Sequence, residues 1–213
     1  MSSQVKAVIF DMDGTLVDAK DWHFRALNEA LEIFGENISL DEHQSTFDGL
    51  PTKVKLSRLT EEGRIPQHVH GLIGEVKQNR TLREIAKNCF PTVEHLLLMS
   101  WLKSRKIPIA VATNSIRETA ETMLKSAGVF EFLDCLVTNE DVVRSKPDPE
   151  IYLKACKSLG VAPSNALVVE DHGYGVEAAK FAGCMVVEVK GPSDVSTKLI
   201  EGYFTDNNLE KVK

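Results

Sequence analysis

The sequence predicts an α/β fold, a doubly wound Rossmann-like parallel sheet with a small all-helical domain inserted near its start. Three observations predict it. From Val93 onward, short and nearly continuous apolar runs alternate with amphipathic segments, the pattern of parallel strands covered on both faces. Residues 19–90 show helical periodicity and no convincing strand. Polar, reactive side chains follow the apolar runs one after another, where ligand-binding groups of such sheets gather beyond the strands' carboxyl ends.

Taken in order, residues 5–10 (V-K-A-V-I-F) make the first buried strand. Phe24, Leu27, Leu31 and Phe34 then recur at three and four residues, giving a helix closed by Gly35. Residues 40–47, 52–59 and 69–86 are short amphipathic stretches, punctuated by Gly49-Leu50-Pro51 and by residues 63–66. Residues 93–103 are apolar enough for a helix buried on much of its circumference. Strands follow at 107–112, 133–138, 166–169 and 185–189. Between them lie helices at 115–127, with Ser115 and Glu118 in capping-box spacing, at Pro149 to Gly160 with Asp148 as N-cap, and at 175–182 before Gly183. The tail from Ser193 fixes no element. The domains read as residues 1–18 with 91–213 for the α/β core, and 19–90 for the helical insert.

Composition narrows the function classes. The chain has 213 residues, 43% hydrophobic and 26% charged, as in an ordinary globular protein with room for one core and a smaller domain. A net charge of −6 with scattered Lys and Arg gives no footprint for nucleic acid or an anionic membrane. No segment resembles an apolar leader or a spanning helix. The four cysteines are far apart and read as reduced thiols of a cytoplasmic protein. His68 and His70 are a surface pair rather than a zinc site. A monomer is the default.

The strand ends carry the chemistry. Asp11 and Asp13, one residue apart at the mouth of the first strand, repel each other and lose hydration, and so need a cation or a hydrogen-bond cage. Hard, oxygen-ligated Mg²⁺ is the natural candidate. Gly14 allows a sharp exit and exposes amides suited to phosphate. Thr113-Asn114-Ser115 follows the second strand as a neutral anion cradle at a helix N-terminus. Lys146, before the stiff Pro147, presents one cation after the third. Glu170-Asp171, then His172 and Gly173, follow the fourth.

D-M-D-G-T after the first strand, with the later motifs in this order, resembles the haloacid dehalogenase superfamily of phosphotransferases. Asp18-(x)4-His23-Phe24-Arg25-Ala26 and S-K-P-D-P-E-I-Y resemble its β-phosphoglucomutase-like branch, whose helical cap follows the first motif. The resemblance implies that Asp11 is the nucleophile forming an aspartyl-phosphate and that Asp13 is the general acid and base. It implies Mg²⁺ on Asp11, the Asp13 carbonyl and Asp171, with Glu170 in support. Lys146, Thr113 and Asn114 would then stabilise the transferred phosphate. His172 departs from the family's small residue and would narrow the pocket.

The cap decides between water and a sugar as phosphate acceptor. The resemblance puts Thr52 (beside Lys53), Gln78 (between Lys77 and Arg80) and Ile116 (before Arg117) where β-phosphoglucomutases carry cations for a distal phosphate. His23 matches their hinge histidine. The expectation is therefore an Mg²⁺-dependent phosphatase of small phosphate esters, chiefly sugar phosphates, with Thr52, Lys53 and His23 near the substrate. A phosphosugar mutase is the alternative, and a non-catalytic binding or regulatory module the second.

Overall fold

The computed structural model describes residues 5–204. Residues 1–4, on which the expectation about a leader falls, and residues 205–213 of the tail lie outside that range. The described chain divides into two compact units, one from the residues up to Asp18 and from Phe90 on, the other from Ala19–Cys89. Along the chain, β1 (Ala7–Phe10) precedes α1 (Lys20–Leu31), the short turn α2 (Leu40–Glu42), α3 (Thr52–Glu61) and α4 (His70–Asn88). The first unit resumes with α5 (Val93–Ser104), β2 (Ile109–Ala112), α6 (Arg117–Ser126), β3 (Cys135–Val137) and α7 (Glu150–Leu159). It ends with β4 (Ala166–Glu170), α8 (Gly173–Phe181), β5 (Met185–Glu188) and α9 (Thr197–Glu201).

The five strands form one parallel sheet in the order β3-β2-β1-β4-β5. β1 is central, and its Val8, Ile9 and Phe10 are wholly buried. Every residue of β1, β2 and β4 is buried, as parallel strands covered on both faces require. Right-handed crossovers put helices on opposite faces when the strand order reverses direction, as it does between β3 and β4. On the face of α7 and α8, Ile9, Ala110, Ala112, Ala166 and Val168 pack against Tyr152, Ala155, Ala178 and Ala179. These small strand residues leave room for one large buried ring, Tyr152.

In the second unit α1 packs along α4, over a core of Leu27, Leu31, Phe47, Leu56, Leu59 and Ile73. Asn28 clamps Ile38 through both backbone groups, at 2.9 and 2.8 Å. Arg64 ties Glu36, Glu42 and Glu62 together, while Gly35 ends the first helical segment at φ 73°.

Three expectations change. Helix α6 starts at Arg117, not Ser115, and its preceding residue makes no side-chain cap. Ser115 is drawn instead to Asp13, and Glu140 accepts from the Arg117 amide at 2.6 Å. Helix α5 buries only His95, Leu98, Met99 and Leu102, leaving Val93 and Leu97 more than 60% exposed. Helix α7 begins at Glu150, although Asp148 still accepts from the Glu150 amide at 3.0 Å. All four cysteines are free thiols. Among the described residues no helix is long and apolar enough to cross a membrane.

Two buried histidines link the fold to pH. Burial, with Lys55 adding to it, lowers the His43 pKa from 6.5 to about 4. Burial also lowers that of His95, against the pull of the Pro192 carbonyl 3.0 Å away. Both folded values lie below the unfolded one, so the unfolded chain takes up these protons first. The stability they protect is whole above pH 6.5 and is lost as pH falls below it, for His43 toward about 4. We expect the urea midpoint to drop between about pH 7 and pH 5, and to drop less in His43→Gln. An unchanged slope in that variant would show that His43 is not a source of the loss.

Candidate active site

The sheet register assembles the site. Phe10 pairs with Val169 on one side and Val111 on the other, so Asp11 emerges beside Glu170, with Thr113 just beyond the end of β2. The Asp11 amide donates to the Val169 carbonyl at 2.9 Å, carrying the pairing one residue past the strand. Side chains alternate along a strand, so Asp11 shares the face of Ile9 and Glu170 that of Val168, both toward α7. Lys146, from the loop before α7, meets them there.

Lys146 Nζ donates to Asp11 Oδ1 at 2.6 Å and to Glu170 Oε1 at 2.5 Å. All three are buried, at 5%, 7% and 1% exposure. Burial alone would lower the lysine's pKa, but Asp11 and Glu170 outweigh it and push the value up. Asp11 is also pushed up, which for a carboxylate disfavours the charged form. Burial first, then the Glu170 charge, raise its pKa well above the usual range against the pull of Lys146. One ammonium thus stands against several carboxylates in a dry place.

Glu170 is held on every side. Its Oε1 also accepts from the Tyr152 hydroxyl at 2.7 Å, and its Oε2 from the amides of Asp171 and His172 at 3.0 and 3.1 Å. Gly175 permits this, because a Cβ there would lie 1.7 Å from Glu170 Oε1. Asp171 Oδ1 accepts from the buried Thr15 hydroxyl at 3.2 Å. His172 is the N-cap of α8, its Nδ1 accepting from the Tyr174 amide at 3.2 Å.

Asp13 faces a different set of partners. Its Oδ2 accepts from Ser115 Oγ at 2.8 Å and Thr113 Oγ1 at 3.3 Å. The expected anion cradle after β2 therefore turns two hydroxyls on the protein's own carboxylate. Asn114 Oδ1 accepts from the Lys146 amide at 3.2 Å, and the Asn114 carbonyl from Asn139 Nδ2 at 2.8 Å. Gly14 makes the turn at φ 91°, a conformation that L side chains rarely adopt. Its amide is engaged by the Val17 carbonyl at 2.7 Å rather than presented outward.

The donor set fits a hard divalent cation. Asp11, Glu170 and Asp171 each offer a carboxylate oxygen, all within 4.8 Å of one another. Oxygen-only donors with surplus negative charge suit Mg²⁺ or Ca²⁺ rather than a soft metal. Asp13 contributes no side-chain atom to that group.

The remaining candidates lie in the helical unit. His23, half-buried on α1, has its Nδ1 3.1 Å from Lys77 Nζ. Thr52 opens α3 after Pro51, half-buried, and Lys53 beside it is exposed. Tyr152 and Gly175 were not foreseen as site residues, while Thr15 of D-M-D-G-T and Ser115 of the Thr113-Asn114-Ser115 cradle were noticed without the carboxylate partners they have here. Of the two, Tyr152 carried a sequence signal, since S-K-P-D-P-E-I-Y places it in the first turn of α7.

A family profile of haloacid dehalogenase-like hydrolases matches residues 8–189. A phosphorylated carbohydrates phosphatase of Thermotoga maritima is 34% identical over 181 residues, 84% of this chain and 82% of that protein. A validoxylamine A 7'-phosphate phosphatase of Streptomyces hygroscopicus subsp. limoneus is 32% identical over 215 residues, 98% and 96% of the two chains. The β-phosphoglucomutase structure from Clostridium difficile matches with a TM-score of 0.82 over 97% of this chain and 100% of its own. At 22% identity that is a likeness of fold. The chain belongs to the haloacid dehalogenase-like hydrolases.

Proposed function

We propose that this hydrolase is a Mg²⁺-dependent phosphatase of small phosphorylated metabolites, chiefly sugar phosphates, working through an aspartyl-phosphate on Asp11. The observation that carries the reading is the division of labour between two aspartates one residue apart. Asp11 sits in the buried carboxylate cluster against Lys146, and Asp13 is held by two hydroxyls. The names of the relatives support the substrate class.

In this mechanism the Asp11 carboxylate attacks phosphorus, and the bond from phosphorus to the ester oxygen breaks. Asp13 gives its proton to the departing oxygen. It then takes a proton from water, which attacks the phosphorus and returns Asp11 as a carboxylate with free phosphate. The Thr113 and Ser115 hydroxyls fix the rotation of the Asp13 carboxyl throughout. Lys146 stabilises the equatorial oxygens, where the charge of the transferring group resides. Mg²⁺ on Asp11, Asp171 and the Asp13 carbonyl, backed by Glu170, would supply the positive charge that lets a carboxylate approach a phosphate.

Water is favoured over a sugar as acceptor because the cations beside two of the three mutase positions, Gln78 and Ile116, are engaged elsewhere. Lys77 is against His23, Arg80 pairs with Glu29 at 3.0 Å, and Arg117 with Asp141 at 2.6 Å. Within this reading Ala19–Cys89 is the cap, and the enzyme is cytoplasmic, acts as a monomer and needs neither nucleic acid nor membrane.

The test is orthophosphate release from a panel of sugar phosphates, including β-glucose-1-phosphate with trace glucose-1,6-bisphosphate. Release should vanish on chelation, return with Mg²⁺, and fall by about a thousandfold or more in Asp11→Asn. Glucose-6-phosphate formed without free phosphate would make the chain a mutase. No turnover on any ester would leave a binding module. Gly175→Ala should lower kcat/KM by about a hundredfold by displacing Glu170, whereas Gly173→Ala, with nothing within 4 Å of the added carbon, should match wild type. Equal activity of the two variants would refute the close-packing role of Gly175.

A further inference from the structure

We propose that Tyr152 is a positioning residue for phosphoryl transfer, sharing Glu170 Oε1 with Lys146 and so keeping the lysine ammonium on Asp11. The inference rests on the reading of Lys146 as the cation that meets the transferred phosphate.

Two donors converge on one oxygen. The Tyr152 hydroxyl donates to Glu170 Oε1 at 2.7 Å, and Lys146 Nζ donates to the same atom at 2.5 Å. The ammonium also reaches Asp11 Oδ1 at 2.6 Å and lies 4.9 Å from the centre of the Tyr152 ring. Tyr152 is wholly buried, so its hydroxyl is shielded from water and Glu170 is the partner the structure gives it.

The carboxylate cannot take up the slack. Its other oxygen is fixed by the amides of Asp171 and His172, and α8 closes on it at Gly175, where even a methyl group would overlap Oε1. With Glu170 immobile, the only adjustable quantity is how the charge on Oε1 is divided between its two donors. Without the hydroxyl, Lys146 is left as the donor to that buried oxygen. The uncompensated charge draws the ammonium from Asp11 toward Glu170, because a buried carboxylate with an unmet acceptor site is costly. The phenyl ring of a Phe in its place keeps the packing and the face presented to Lys146.

Tyr152→Phe therefore separates positioning from folding. Titration calorimetry with orthophosphate in the presence of Mg²⁺ should show affinity about tenfold weaker than wild type, with kcat/KM reduced in parallel. Affinity for Mg²⁺ alone should stay within about twofold, since the hydroxyl touches neither Asp11 nor Asp171 and the two amides keep Glu170 in place. In the Glu170→Gln background, which removes the charge being shared, adding Tyr152→Phe should change orthophosphate affinity by less than about twofold.

Weakening of Mg²⁺ and orthophosphate together in Tyr152→Phe would mean a loosened site and would overturn the positioning role. So would unchanged orthophosphate affinity alongside normal hydrolysis, an outcome that leaves the phosphatase reading standing. A wild-type chain that neither binds orthophosphate with Mg²⁺ nor hydrolyses esters would overturn that reading, and this inference with it.

Discussion

Lys146 lies between Asp11 and Glu170 in a part of the molecule from which water is nearly excluded, and Asp171 adds a further carboxylate alongside. Removing charges from water costs several kcal/mol each unless they are paired and hydrogen-bonded. One ammonium cannot balance three carboxylates. The surplus is what makes the cluster a cation site, and it adds to burial in raising the Asp11 pKa. Much of the surrounding structure distributes that charge. The Asp171 and His172 amides and the Tyr152 hydroxyl serve Glu170, and Thr15 serves Asp171.

A parallel sheet is well suited to building such a place. Three neighbouring strands, β2, β1 and β4, run in one direction and end at one edge, so successive motifs far apart in sequence arrive side by side. The strand order reverses across β1 and β4, which opens a crevice between them. The same turn that carries Asp11 toward Glu170 carries Asp13 toward Thr113 and Ser115. Two chemically identical side chains thereby acquire different environments, a requirement for one to act as nucleophile and the other to handle protons.

The strands of the core and the order of the polar motifs could be read from the chain because both are local. Parallel strands buried on two faces appear as unbroken apolar runs, and their ends are marked at once by Asp11, Thr113 and Glu170, with Lys146 following in the loop after β3. What could not be read depends on register and on the phase of a helix. Whether Tyr152 faces Glu170, or whether Gly175 must lack a side chain, follows from how α7 and α8 settle on the sheet. Ser115 shows a local signal overruled by a tertiary one, since its capping-box spacing with Glu118 gives way to a bond with Asp13. The apolar run of α5 similarly predicts more burial than the helix attains, and Val93 and Leu97 remain outside.

The measurement that bears most directly on the chemistry is acid quench of a single turnover on a hydrolysed sugar phosphate, followed by borohydride reduction and peptide mass spectrometry. An aspartyl-phosphate reduces to homoserine, so the peptide spanning Asp11 should carry that change, absent from the Asp11→Asn variant. Turnover that leaves Asp11 unmodified at every quench time, or places the modification on Asp13, would contradict Asp11 as the nucleophile.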